Sequence, residues 1–452
     1  MRAPEPLGGY SLRFASSANT PLAWTGAGPV SAGQFRRDVG DCLGLLDAEG
    51  DVLISCTSRY AFSVALLAAW LSGKSAVLPP NHLRETLRDV RARFAVAHEF
   101  DNDWAQALLA APLRAQQASW DVQLPPATEA VKLFTSGSSG QPKVIVKSLA
   151  NLLDEAGALG RQFHWPAGAV AGSVPPHHLY GLTFTVLLPW VTGRAWVDAV
   201  PLYPGDIRQL LQDTGSRILI SIPTQYRALL HDKADMSGIL CVSAAAKLPR
   251  DHAIHWQQQY GLDILEIYGS TETGVIGFRQ QAAGDSWQAF PDVDLSVHDG
   301  LLRVRSPFTS EPWHEGFQTA DRARLLDDGR FELFGRADSI VKIGGKRISL
   351  SKIEHSLLAC AGVAEVAVIS VRENGRVRDE SIWAAVVPRD NCRLSPRELQ
   401  CSLRDRLEGV EVPRRIVIVD RLPRTASGKL PRAALEALFG IEPTAPCSHS
   451  KI

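Results

Sequence analysis

The amino-acid sequence predicts an α/β protein, with a large N-terminal domain of parallel-rich sheets covered by helices and a smaller α+β C-terminal domain. Three observations carry this prediction. The 452 residues are about three times a typical domain length. Short β-branched runs alternate with helical patterns through the first three quarters of the chain, and that rhythm changes near Gly335.

In chain order, the strand-like runs are Val52–Cys56, Ala76–Pro79, Ala169–Val174, Ile218–Ile222, Ile239–Val242 and Ile264–Ile267. Between them, Ser58–Leu71 reads as a helix that Ser58 caps and Gly73 ends, and Leu149–Phe163 reads as another. Alternation of this kind builds parallel sheets. Beyond Gly335 the pattern shortens to a hairpin Ile340–Ile348, a helix Ser351–Cys360, strands Val363–Val371 and Ile382–Val387, and a helix Pro396–Leu407. The expected domains are therefore residues 1–335 and 336–440, with a frayed tail at 441–452.

Composition excludes several function classes. Forty-eight basic residues balance forty-eight acidic ones, so neither nucleic acid nor an anionic membrane is an expected partner. The seven cysteines are scattered, with no C-x-x-C pair and no metal-ligand spacing, which fits a reduced cytoplasm. No apolar stretch approaches the roughly 18 residues of a membrane span, and the first residues lack the apolar region of a secretory signal.

Only eleven residues are lysine, and four of these fall in glycine-bearing segments. The first segment is Leu133 to Lys143, containing Thr135, Ser136, Gly137, Ser138, Ser139, Gly140 and Lys143 after an apolar strand. Glycines let backbone N–H groups approach an oxyanion, hydroxyls add donors, and Lys143 adds charge. It is not a Walker loop, because Val144 follows the lysine. Alone it also fits a Ser/Gly turn. The second segment, Tyr268-Gly269-Ser270-Thr271-Glu272-Thr273-Gly274, sets a carboxylate among hydroxyls, which suits Mg²⁺ on phosphate oxygens and equally a capped turn. Thr319-Ala320-Asp321, Gly335-Arg336-Ala337-Asp338 and Lys342 to Ile348 form the third group, and Arg424 to Lys429 the fourth.

In this order the segments resemble the adenylate-forming superfamily of acyl-CoA synthetases, aryl acid ligases, peptide-synthetase adenylation domains and luciferases. The resemblance runs from about Ala68 to Lys429. It implies ATP and Mg²⁺ as cofactors, a C-terminal domain that is mobile, and roles for individual residues. Thr135 to Lys143 would bind the ATP phosphates, Tyr268 and Gly269 the nucleotide, and Thr271 and Glu272 phosphate and metal. Asp321 and Arg336 would hold ribose, Asp338 would be the hinge, and Lys429 the catalytic lysine, which by itself is otherwise a solvated loop residue. Rotation about Asp338 would exchange Lys429 for the Lys342–Arg347 segment, whose Gly344 and Gly345 leave room for a thiol arm. Ala320 departs from the family's usual glycine.

The stretch Pro175 to Leu182 resembles the family's acid-pocket motif, with His178 and Tyr180 as acid contacts and no aspartate to pair with an amino group. A hydrogen-bonded structural role stays open for His178 and for His177. Ser243, Ala244 and Ala245 stand where relatives carry S-G-G, either narrowing an acyl pocket or packing a helix start. The short interval before Thr135 and the Lys147-Ser148-Leu149 segment resemble the aryl polyene and xanthomonadin-type hydroxybenzoate ligases. The expected partners are thus a small aromatic carboxylic acid and an acyl carrier protein; the alternative is a short- or medium-chain acyl-CoA or aryl-CoA synthetase that uses coenzyme A. A luciferase-type oxidative enzyme and a nucleotide-binding protein without catalysis are the other classes, the latter disfavoured by the presence of both Glu272 and Lys429.

Overall fold

A computed structural model describes residues 9–441 except 18–19, 113–118, 126, 128, 137–141, 233–234, 311–312, 314, 337–339, 344–345, 373–379, 390–391 and 424–431. The chain divides into two compact units. The first runs to Asp338 apart from two short segments, and the second begins at Ser339.

The first unit holds two large sheets. In one, strands Val96–Phe100, Asp51–Ile54, Ala76–Val77 and Val131–Ser136 are parallel neighbours, with Pro142–Lys147 at the edge. Among the described residues the other has thirteen strands. Its parallel centre is Trp196–Val197, Val170–Gly172, Ile218–Ser221, Leu240–Ser243 and Ile264–Ser270. From Gly274–Gln280 onward it continues as antiparallel strands out to Asp294–His298. Those antiparallel strands were not expected from the sequence.

Helix Arg59–Leu71 starts where Ser58 accepts from the Ala61 N–H at 3.0 Å. Nearly every residue of it is buried, as its uniform apolarity requires. Arg59 lies in the interior and donates to the carbonyls of Val197, of Ala199 at 2.8 Å, of Gly172 at 2.9 Å and of Val174 at 3.0 Å. Burial pushes its guanidinium down to about 10. Helix Leu149–Gln162 opens with a reciprocal capping box between Ser148 and Asn151. The two faces of the parallel strands enter separate cores: Ile218, Ile220, Val242 and Ile267 on one side, Leu219, Cys241 and Ile264 on the other. Strict alternation along each strand produces that division.

The second unit is α+β. Strands Ile340–Ile343 and Lys346–Ser349 pair as the expected hairpin, and Val363–Arg372, Glu380–Pro388 and Arg415–Ile418 form a three-stranded sheet. Helices Leu350–Leu358 and Pro396–Arg404 pack Ile353, Leu357, Leu399 and Leu403 into its core with Ile348. Among the described residues no helix is long and apolar enough to cross a membrane.

Candidate active site

Strand Ile264–Ser270 leaves the parallel centre and reverses through Ser270–Gly274 into Gly274–Gln280. The reversal is tight. A Cβ on Gly269 would stand 2.4 Å from the Gly274 carbonyl oxygen, and Gly274 itself has φ +71°, with its missing Cβ 2.7 Å from that of Phe308. Both positions demand glycine. Ser270 Oγ accepts the Thr273 N–H at 3.2 Å, and the Glu272 carbonyl accepts the Ser310 N–H at 2.9 Å. Glu272 is buried and Thr271 half-buried.

The tyrosine of this turn reaches another predicted residue. Tyr268 donates its hydroxyl to Asp321 Oδ2 at 2.7 Å, and its ring packs against Trp287 and Phe331. Asp321 is the strand partner of Arg336 across the antiparallel pair Phe317–Leu325 and Arg330–Arg336. Tyr268, Asp321 and the Arg336 backbone thus meet at one edge of the sheet, although they are up to 68 residues apart in the chain.

Strand Val131–Ser136 brings Thr135, half-buried, to the start of the Ser/Gly segment. Lys143 on the returning strand is exposed, with its ammonium 4.1 Å from the centre of the Trp313 ring. Gly137, Ser138, Ser139, Gly140, Asp338, Gly344, Gly345 and Lys429 lie outside the described residues, as do the side chains of Ser136 and Arg336 and all but the first residue of the predicted tail.

The expected acid side sits at the carboxyl ends of the parallel strands. Gly181 is forced here, since a Cβ would fall 1.9 Å from the Pro175 carbonyl oxygen. His178 is half-buried and precedes helix Leu179–Leu182, which runs on into a π-helical turn Thr183–Leu187. His177 is buried against Phe62 and His82. Burial, with the neighbouring His82 and His178, pushes its imidazole well below the ordinary histidine range. Tyr180 donates to the carbonyls of Ser221 at 2.9 Å and Val242 at 3.0 Å, so its hydroxyl ties two adjacent strand ends together.

A polar row crosses this edge. Ser173 Oγ and Ser221 Oγ are 2.7 Å apart, and strand register carries the row on through Ser243 to Glu266. The Ser243 hydroxyl is fully buried and has no hydrogen-bond partner among the described residues. Glu266 accepts from Arg279 Nε at 2.7 Å and from the Leu248 N–H at 2.6 Å. Arg279 in turn lies 3.9 Å from the centre of the Trp287 ring. Ala244 is part of the core, and Ala245 has φ +70°, a conformation that glycine takes without strain.

Lys147 entered the sequence reading only through a subgroup resemblance, and the group it forms was not foreseen. Lys147, Asn151 and Glu155 recur every four residues and bond to the backbone around Glu272 and the turn near Phe308. Polar residues at helical spacing on a buried face were the available signal. Burial pushes the Lys147 ammonium down and the Glu155 carboxyl up.

Two family models match the chain: AMP-binding enzyme over residues 42–316 and AMP-binding enzyme C-terminal domain over 352–429. A sulfoacetate–CoA ligase of Cupriavidus necator is 27% identical, covering 82% of this chain and 77% of the relative. A 4-coumarate–CoA ligase of Halorhodospira halophila is 30% identical, covering 67% and 75%. Among solved structures, an amide bond synthetase from Marinactinospora thermotolerans has the same fold, with a TM-score of 0.79 at 19% identity over 93% of this chain and 98% of that one. The glycine-enforced turn, the Tyr268–Asp321 contact and these matches lead to one conclusion: the chain belongs to the AMP-binding enzyme family and is an AMP-forming acid–thiol ligase.

Proposed function

We propose that the protein activates a small carboxylic acid, preferably an aromatic one, as its acyl adenylate and passes the acyl group to coenzyme A. The similarity to a 4-coumarate–CoA ligase carries the reading. Coenzyme A therefore replaces the carrier protein as the preferred acceptor, since both relatives named above are CoA ligases. Six unpaired cysteines among the described residues fit a reducing cytoplasm.

The obstacle to the first step is repulsion. An ionised acid must approach the α-phosphate of ATP, and unit charges 4 Å apart interact by roughly 4 kcal/mol at an effective dielectric near 20. No general base is needed, because the acid is already ionised near neutral pH. Catalysis is alignment and charge compensation. In this reading Tyr268 and Asp321 seat the nucleoside, their mutual hydrogen bond fixing the ring and the carboxylate together. Thr135, Lys143 and the Ser/Gly segment surround the phosphates, and Arg336 adds to the ribose contact. Glu272, beside the hydroxyls of Ser270, Thr271 and Thr273, offers the hard oxygen donors that Mg²⁺ takes, and the ion would offset triphosphate charge. Lys429 would place one more positive charge at the α-phosphate, then withdraw about Asp338 so that the thiol arrives past Gly344 and Gly345. On the acid side, His178, Ser243, Ala244, Ala245 and the Tyr180 ring form the receiving edge.

Pyrophosphate release measured across benzoates, cinnamates, short dicarboxylates and fatty acids tests this, followed by coenzyme A against holo carrier protein with the best acid. Benzoates or cinnamates should lead, and coenzyme A should be consumed. Octanoate active with every aromatic acid inert would overturn the acid. Thioester on carrier protein alone would overturn the acceptor.

A further inference from the structure

The turn that carries Glu272 is held from behind by one short segment. Lys147 ends strand Pro142–Lys147, Ser148 caps the helix, and Asn151 and Glu155 follow at steps of four on Leu149–Gln162. Each of the three meets backbone rather than side chain. Lys147 Nζ donates to the carbonyls of Glu272 at 3.2 Å and Phe308 at 2.5 Å. Asn151 Nδ2 donates to those of Pro307 at 2.7 Å and Thr309 at 3.2 Å. Glu155 Oε1 accepts the Val275 N–H at 3.0 Å.

Lys147 and Glu155 are both fully enclosed. Enclosing an ammonium and a carboxylate costs free energy that an apolar pair of similar volume would avoid. An apolar pair, however, cannot bond two turns at once. The Ser310 N–H to Glu272 carbonyl bond already joins the 270–274 and 306–310 turns directly, and Lys147 reaches both of them a second time. The Glu272 carbonyl is therefore held twice, by Ser310 and by Lys147, and the side chain takes its direction from that backbone.

We propose that Lys147, supported by Asn151 and Glu155, is a positioning residue that sets the Glu272 carboxylate for the magnesium–triphosphate complex. The inference rests on the assignment of Glu272 to that complex. It follows that losing Lys147 weakens the part of ATP binding that depends on magnesium and spares the rest. Removal of an outer partner of a metal ligand commonly lowers metal affinity about 10–100-fold.

Two variants test it, Lys147→Met and the double variant Lys147→Met/Glu155→Leu. ATP affinity is measured by titration calorimetry with and without Mg²⁺, beside thermal unfolding. Lys147→Met should lower Tm, because it removes the ammonium whose charge offsets that of the enclosed Glu155 carboxyl, and should cut the magnesium-dependent gain in ATP affinity about tenfold. The double variant should recover Tm while that gain stays lost. A gain that returns together with Tm means the pair only fills space, and overturns the inference, as does an undiminished gain in Lys147→Met. A wild-type chain with no magnesium-dependent gain overturns it too, whereas pyrophosphate release by that same chain would leave the proposed activity standing.

Discussion

The Tyr268–Gly274 turn and the carboxyl edge of the parallel strands are neighbours on one sheet, yet they are built to different tolerances. The turn is overdetermined: two obligatory glycines, bonds from Ser270, Ser310 and Lys147, and a tyrosine locked to Asp321. The edge instead holds Ala245 in a left-handed conformation, beside a Ser243 hydroxyl that is enclosed without a partner among the described residues. The difference teaches which part of the reaction is generic. In the proposed reading the turn faces the nucleotide, which is the same at every turnover, and the edge faces the acid, where a strained backbone can be fitted to one substrate.

The largest expected effect comes from the residue that touches both regions. Arg279 pairs with the enclosed Glu266, which holds the Leu248 N–H beyond the alanine run, and it covers Trp287 behind Tyr268. Arg279→Met strands a buried carboxylate and should cost about 3–5 kcal/mol in urea denaturation. Of the folded fraction, KM for both ATP and the acid should rise; a change confined to one substrate would show that the regions are independent. Next, Tyr268→Phe should raise KM for ATP about tenfold through loss of a hydrogen bond to a charged group, with KM for the acid unchanged. A rise in the acid's KM instead would reverse the assignment of sides.

The edge also carries a pH-sensitive group of its own. His177 is held neutral in the folded chain, below the ordinary value of 6.5, while the unfolded chain takes up a proton as pH drops through that value. At this group the unfolded state then binds more protons, so the contribution of His177 to stability falls by up to about 1.4 kcal/mol per pH unit below roughly 6.5, against the opposite slope of the buried Glu155 carboxyl. His177→Phe should flatten that slope in denaturation series between pH 6.5 and 5. The smallest effect is Ala245→Gly. Relief of roughly 1–2 kcal/mol of left-handed strain, less glycine's larger entropy loss, leaves a gain under about 1 kcal/mol in Tm measurements. A lower Tm would mean that the methyl group contributes packing worth more than the strain.

Much of this was legible in the sequence where the signal is local. Ser58 caps its helix as its position implies, and the short β-branched runs became parallel strands of the two large sheets. The antiparallel strands from Gly274 to Arg336 were not legible, because their pairing partners are distant and their register shifts between Leu301 and Arg303 and between Asp321 and Ala323. The alanine run was read for its volume, while at Ala245 it also has a backbone meaning that no side-chain pattern reveals. The row from Ser173 to Glu266 exists only through strand register, and the Lys147 group only through the docking of a helix onto two turns. Contacts made by folding rather than by spacing escaped the linear text.

Arg59 has a consequence for the order of assembly. Its guanidinium is enclosed by carbonyls contributed 113 to 140 residues later in the chain. During synthesis, the helix it begins cannot settle until Ala199 has emerged, since an enclosed guanidinium without acceptors would be prohibitive. A nascent chain cut before residue 170 would expose the apolar flank of that helix to solvent, so the first hundred residues are an aggregation hazard by themselves. Chaperone engagement is accordingly expected early in translation, ahead of any contribution from the C-terminal unit.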